Sequence, residues 1–134
     1  MQQEHRRAVA YSADGISGWT APELAPDLFE PVCMASLIRV PGKKNRIVFA
    51  NPESLPRNDL RVRLSYDEGK TWAHSQLLLA GPSGYSDMAA APDGSVYILY
   101  EQVIPATPSS PREQNLVFSR MTLEWLTGGQ DRYE

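Results

Sequence analysis

Cysteine, histidine and long apolar runs are scarce in this chain, and each scarcity excludes a class of protein. One cysteine, Cys33, stands among 134 residues. It permits no intrachain disulfide and gives no basis for a cysteine metal site. The only histidines, His5 and His74, are too few and too scattered for a zinc site. The apolar runs are only a few residues long, so no transmembrane helix or signal peptide is visible. The net charge is −3 and the basic residues form no stripe, which argues against nucleic acid as a partner. What is present is a globular composition, 42% hydrophobic and 22% charged. A chain of 134 residues is long enough for one domain with a real core. The start, "MQQEHRRAVAYS", runs into strand-like sequence at once and reads as a chain that begins inside a domain.

The apolar runs are rich in Val, Ile, Leu, Tyr and Phe, and clusters of Gly, Pro, Asn and Asp separate them. This pattern predicts strands near 6–12, 33–40, 45–50, 60–66, 72–79, 86–91, 95–101 and 115–124. No segment sustains a 3.6-residue period, although "MTLEWL" fits a short helical turn. The expected class is all-β, with 11 prolines and nine glycines serving many tight turns.

Two stretches repeat. "SADGISGW" begins at Ser12 and "SYDEGKTW" at Ser65, 53 residues apart, and each runs from Ser-x-Asp to a Trp seven residues after the Ser. A period near fifty with about four strands per unit is what a β-propeller blade gives, and the repeat favours blades over the alternative of a β-sandwich. The second stretch matches the Asp-box pattern Ser-x-Asp-x-Gly-x-Thr-Trp in full. There Asp67 is placed to accept from turn amides, Gly69 to take positive φ and Trp72 to pack beneath the hairpin, with Ser65 and Thr71 as the remaining residues of the pattern. The first copy keeps Ser12, Asp14 and Trp19 but not the Gly and Thr spacing. These residues are read as fold elements.

Antiparallel strands alternate in direction, so the ends that share a face follow by parity. If the Asp-box end is the bottom, the strand at 60–66 starts at the top and the loop 51–59 lies there. The strand at 72–79 climbs back, and Tyr85 opens the next strand from the top. "PDG" at 92–94 turns at the bottom, and the strand at 95–101 delivers Glu101 to the top. Arg57, Tyr85 and Glu101 are thus expected on one face, opposite the boxes. Singly, each has an ordinary reading: a packed tyrosine, a solvated arginine, a surface carboxylate. Asp87 is read as a turn cap and Cys33 as a small buried residue. Glu30 and His5 are expected near the same face without a role.

"FANPESLPRNDLRVRLSYDEGKTW", "GPSGYSDM" and "VYILYE", in this order and spacing, resemble the C-terminal part of exo-α-sialidases, retaining glycosidases built on a six-bladed propeller. "NLVFSRMTLEWL" resembles that domain's closing segment. The resemblance covers nearly the whole chain. It implies a partial six-bladed β-propeller over residues 1–134, about two blades and the closing segment. It also implies a sialylated glycan as partner, neither cofactor nor metal, and a secreted or periplasmic location for the full protein. Tyr85 matches the family's tyrosine nucleophile. Arg57 matches the third arginine of the triad that grips the sialic acid carboxylate. Glu101 matches the glutamate that orients the first triad arginine.

The family's other catalytic groups are two arginines, an acid/base aspartate and a tyrosine-activating glutamate. All are expected upstream of this sequence, and neither Arg6 nor Arg7 is promoted to the triad. Two and a fraction blades do not close a ring, so the chain is expected to be a piece of a larger sialidase and inactive alone. Two other functions fit the same fold: a non-catalytic Asp-box propeller that binds glycans or proteins, and a related enzyme such as a trans-sialidase. A non-catalytic propeller has no need to keep Tyr85, Arg57 and Glu101 in register.

Overall fold

The computed structural model describes residues 5–134, and they form an almost entirely β fold. Strands β1 (Arg6–Val9) and β2 (Glu23–Phe29) pair as a two-stranded antiparallel sheet. Strands β3 (Ser36–Arg39), β4 (Ile47–Ser54), β5 (Asn58–Ser65), β6 (His74–Ala90), β7 (Val96–Ile104) and β8 (Glu113–Met121) follow in sequence order as one antiparallel meander. A short helix α1 (Leu123–Thr127) ends the regular structure.

The 17-residue β6 joins two blades. Its first part, His74 to Pro82, pairs with β5, and its second part, Ser83 to Ala90, pairs with β7. It is the outer strand of the β3–β6 blade and the inner strand of the next. The "GPSG" segment was expected to be a loop between separate strands. It stays extended instead, because Gly81 takes φ +82° and a bulge follows, which together swing the backbone from one sheet to the next. Strand β2 was not expected at all. "ELAPDLF" has neither alternation nor a continuous apolar run, and Pro26 is tolerated because β2 is an edge strand. The expected strand at 115–124 stops at Met121, and "LEWLT" forms the short helix. Thr122 caps it by accepting the Trp125 N–H at 3.2 Å, and Gly128 ends it at φ +62°.

The core lies where the blades face one another. Leu60, Val62 and Leu64 of β5 and Ile98 of β7 are fully buried, each contributing about 1.5–3 kcal/mol by removal from water. Strand β4 is buried along nearly its whole length, as a strand covered on both faces must be. The C-terminal residues clasp this core. Asp131, buried, accepts two bonds from buried Arg46 at 2.8 Å each, one from Lys44 and one from the Tyr66 hydroxyl. The three donors hold the Asp131 carboxyl well below the ordinary range, the Arg46 bond having the largest effect. Burial, with the bond to Asp131, pushes the Tyr66 phenol up to about 12.

Both Asp-box turns sit at the same end of their hairpins. In the complete copy, Ser65 Oγ accepts from the Gly69 amide at 2.8 Å, and Asp67 accepts from the Thr71 amide and hydroxyl at 2.8 and 2.7 Å. Gly69 takes φ +78°, and Trp72 packs on Phe49 with ring centroids 5.6 Å apart. The irregular copy builds the same device from a different spacing. Ser17 does the work of the threonine one residue earlier, giving amide and hydroxyl bonds to Asp14 at 2.8 Å each. Its tryptophan, Trp19, is 56% exposed.

Candidate functional site

The β4–β5 turn lies at the end of the blade opposite the Asp-box that follows β5. Arg57 sits in this turn with φ +116°, and it is tied down at both backbone groups. Its N–H donates to Ser54 at 3.0 Å, and its carbonyl accepts from Ser83 of β6 at 2.9 Å. Asp59, at φ +62° at the start of β5, accepts the Gly81 amide at 2.9 Å and adds a second tie, next to this turn, to β6. The turn is therefore locked to the strand that carries Tyr85.

Tyr85 is placed by a bulge. Ser83 pairs with Gln102 and Ser86 with Tyr100, so Gly84 and Tyr85 together oppose the single residue Glu101. A bulge re-aims the side chain it carries. Here it turns Tyr85 outward, 46% exposed, while Ser83, Gly84 and Ser86 are buried. Glu101 answers the bulge by accepting the Tyr85 N–H through Oε2 at 2.9 Å. Oε1 is left without a donor among the described residues. The carboxylate approaches so closely that a Cβ on residue 84 would fall 2.1 Å from Oε2, so a larger residue there would have to displace the Glu101 carboxylate.

Arg57 covers the phenol. Its Cζ lies 5.6 Å from the centroid of the Tyr85 ring, within cation–π range. Its Nη2 donates to the Val32 carbonyl. Arg57 and Glu101 are half-buried, and Tyr85 is open to solvent between them. The fold thus brings a phenol, a guanidinium and a carboxylate to one face, opposite the Asp-box end, as parity required. Such a group can bind an anion through Arg57 and hold a phenol beside it.

The other candidates fall as follows. Asp87 caps no turn; it lies mid-strand and accepts from Ser36 Oγ at 3.3 Å and the Met88 amide at 2.9 Å. Cys33 is buried, and burial pushes its thiol up from the ordinary value. Glu30 and His5 do lie beside the site: Glu30 donates its N–H to the His5 carbonyl at 3.1 Å and pairs with Arg7 at 2.6 Å. Sequence reasoning missed Gly84 and Val32. The glycine could have been found, since "GYS" at a strand mouth invites a bulge. Val32 acts through its carbonyl and left no signal.

Residues 1–98 match the family described as BNR repeat-like domain. A sialidase of Micromonospora viridifaciens is 32% identical over 130 residues, covering 91% of this chain and 18% of that protein. A sialidase of Bacteroides fragilis (strain YCH46) is 37% identical over 108 residues, covering 73% of this chain and 20% of that protein. The solved structure of a Hadza microbial sialidase superposes with a TM-score of 0.70 at 31% identity, over 93% of this chain and 24% of that one. The meander of blades has the propeller-type fold of that sialidase structure. The chain spans about a fifth of the length of the curated relatives it matches.

Proposed function

The chain belongs to the BNR repeat-like domain family, and from that membership we propose that it carries the nucleophile side of an exo-α-sialidase site. The complete protein cleaves terminal α-linked sialic acid from glycoconjugates with retention, through a covalent intermediate on Tyr85. Arg57 holds the substrate carboxylate. Glu101 fixes the Tyr85 backbone through Oε2 and offers Oε1 to an arginine from elsewhere in the full protein.

The chemistry calls for these residue types. Sialic acid carries a carboxylate on its anomeric carbon, and a carboxylate nucleophile would meet like-charge repulsion there. A phenol is neutral until it reacts. Sialidases are the recognised exception among retaining glycosidases in using tyrosine. A free tyrosine has a pKa of about 10 and needs both a base and nearby positive charge to become a nucleophile. Arg57 stands over the Tyr85 ring, its Cζ 5.6 Å from the centroid, so a cation lies beside the proposed nucleophile. Its planar fork also suits a carboxylate.

The observation that carries this reading is the bulge at Gly84–Tyr85, which exposes the phenol beneath Arg57 and directly opposite Glu101. The test is a titration of N-acetylneuraminic acid into the isotope-labelled 134-residue chain. Binding is expected to be weak, on the order of 10 mM, because one charge-assisted pair contributes about 1.5–3 kcal/mol. The shifting amides are expected at 84–86, 57 and 101. Shifts confined to the Asp-box end would overturn the assignment.

A further inference from the structure

Arg7, Glu30 and Val32 have no part in the reaction as assigned, yet they stand directly behind Arg57. We propose that Arg7 and Glu30 are a positioning pair for Arg57, acting through the peptide unit between Val32 and Cys33; its bearing on catalysis rests on Arg57 being the carboxylate-binding arginine.

A single peptide plane makes the connection. A trans peptide is rigid, with its carbonyl and its N–H on opposite edges. On one edge of the Val32–Cys33 peptide, the Cys33 N–H donates to Glu30 Oε1 at 2.8 Å. On the other edge, the Val32 carbonyl accepts from Arg57 Nη2. Holding the N–H therefore aims the carbonyl. The carboxylate also polarises the peptide, which strengthens its carbonyl as an acceptor for a cation.

Arg7 fixes the carboxylate that does this. Its Nη2 lies 2.6 Å from Glu30 Oε2 and donates to the Cys33 carbonyl at 2.8 Å. Its Cζ lies 5.7 Å from the Phe49 ring centroid, and its Nε is buried without a partner among the described residues. The guanidinium is thus tied to the loop through Nη2 while the side chain stays a quarter exposed. Glu30 is anchored in turn by His5, whose carbonyl accepts the Glu30 N–H and whose Nδ1 lies 3.2 Å from the Glu30 carbonyl.

The backbone at Val32 shows that the arrangement is imposed. Val32 takes φ +59°, a left-handed conformation that a β-branched residue rarely adopts, at a cost of about 1–3 kcal/mol. Its own side chain is 68% exposed and recovers little of that by packing. The bonds on either side of it, from the Arg7–Glu30 pair and from Arg57, are what hold it there. Arg57 is itself at φ +116°, so two strained residues face each other across one hydrogen bond.

The test measures the rotation of the Arg57 guanidinium about Nε–Cζ by nitrogen exchange spectroscopy on the arginine-labelled chain. Glu30→Ala is expected to speed rotation about tenfold, the effect of losing one charge-assisted hydrogen bond as a barrier. Glu30→Gln keeps an acceptor for the Cys33 N–H without the charge, and about a threefold acceleration is expected. Amides of residues 65–72 serve as the control for an intact fold, and if Glu30→Ala fails that control the glutamine variant decides alone. Unchanged Arg57 rotation in a folded Glu30 variant overturns the positioning role and leaves the carboxylate-binding reading standing. Sialic acid affinity that is unchanged in Arg57→Ala removes the carboxylate-binding reading and leaves the positioning pair intact.

Discussion

A Cβ on Gly84 would lie 2.1 Å from Glu101 Oε2 and 3.1 Å from Glu101 Cβ, so no side chain fits without moving the carboxylate. Gly84→Ala is therefore expected to push Glu101 away and break its bond to the Tyr85 N–H. A stability loss of about 1–3 kcal/mol is expected in urea unfolding, as for other overpacked sites. The Tyr85 amide resonance would move at the same time. An alanine variant with wild-type stability and an unmoved Tyr85 amide would show that the carboxylate is not held as described. At this scale the sequence was legible where chemistry singled out a residue type. Tyr85, Arg57 and Glu101 could be named because their motifs resemble those of sialidases, and parity added that they share a face. Val32 could not, because its contribution is a carbonyl oxygen and a φ angle, neither of which depends visibly on a valine.

The hairpins show how much a turn motif determines by itself. In the complete Asp-box, Asp67 is drawn down to about 2, first by the Thr71 hydroxyl and then by the Thr71 amide and Ser65. Its folded value is depressed, so its stabilisation is present above the ordinary aspartate pKa of about 3.9 and is lost as pH falls through about 2. Asp14 is lowered by the corresponding Ser17 and Ile16 bonds. The two boxes differ in what lies beneath them. Ser65 is fully buried and Trp72 packs on Phe49, whereas Trp19 is largely exposed. Asp67→Ala is therefore expected to lower the melting temperature more than Asp14→Ala at pH 7, and the gap is expected to narrow near pH 2. Equal shifts at pH 7 would mean that the packing beneath the turn is irrelevant to the box. The boxes were readable because Ser, Asp and Gly satisfy local amides at fixed offsets. Strand β2 was not readable, because it gains its place by pairing with β1 and carries no period of its own. The unbroken β6 was missed for a related reason. Glycine and proline mark a turn in most contexts, and here they mark a strand passing between two sheets.

Across the molecule, the candidate site is assembled from segments that are remote in sequence. The 30–33 loop, the β4–β5 turn, the bulge in β6 and the end of β7 meet at one face because two blades share a strand. The two boxes stand at the far end and keep the hairpins in register. This separation, turns below and the candidate site above, was visible in the sequence as parity. The tie from Arg7 through Glu30 to Arg57 was not, since it joins residues that share no period and no motif. In the proposed function this face recognises a carboxylate through Arg57. The most direct measurement compares the affinity of the chain for N-acetylneuraminic acid with that for its methyl ester, in the wild type and in Arg57→Ala. The expected result is about tenfold tighter binding of the free acid by the wild type, the contribution of one charge-assisted hydrogen bond, and no difference in the variant. Equal affinity of the wild type for acid and ester would contradict it.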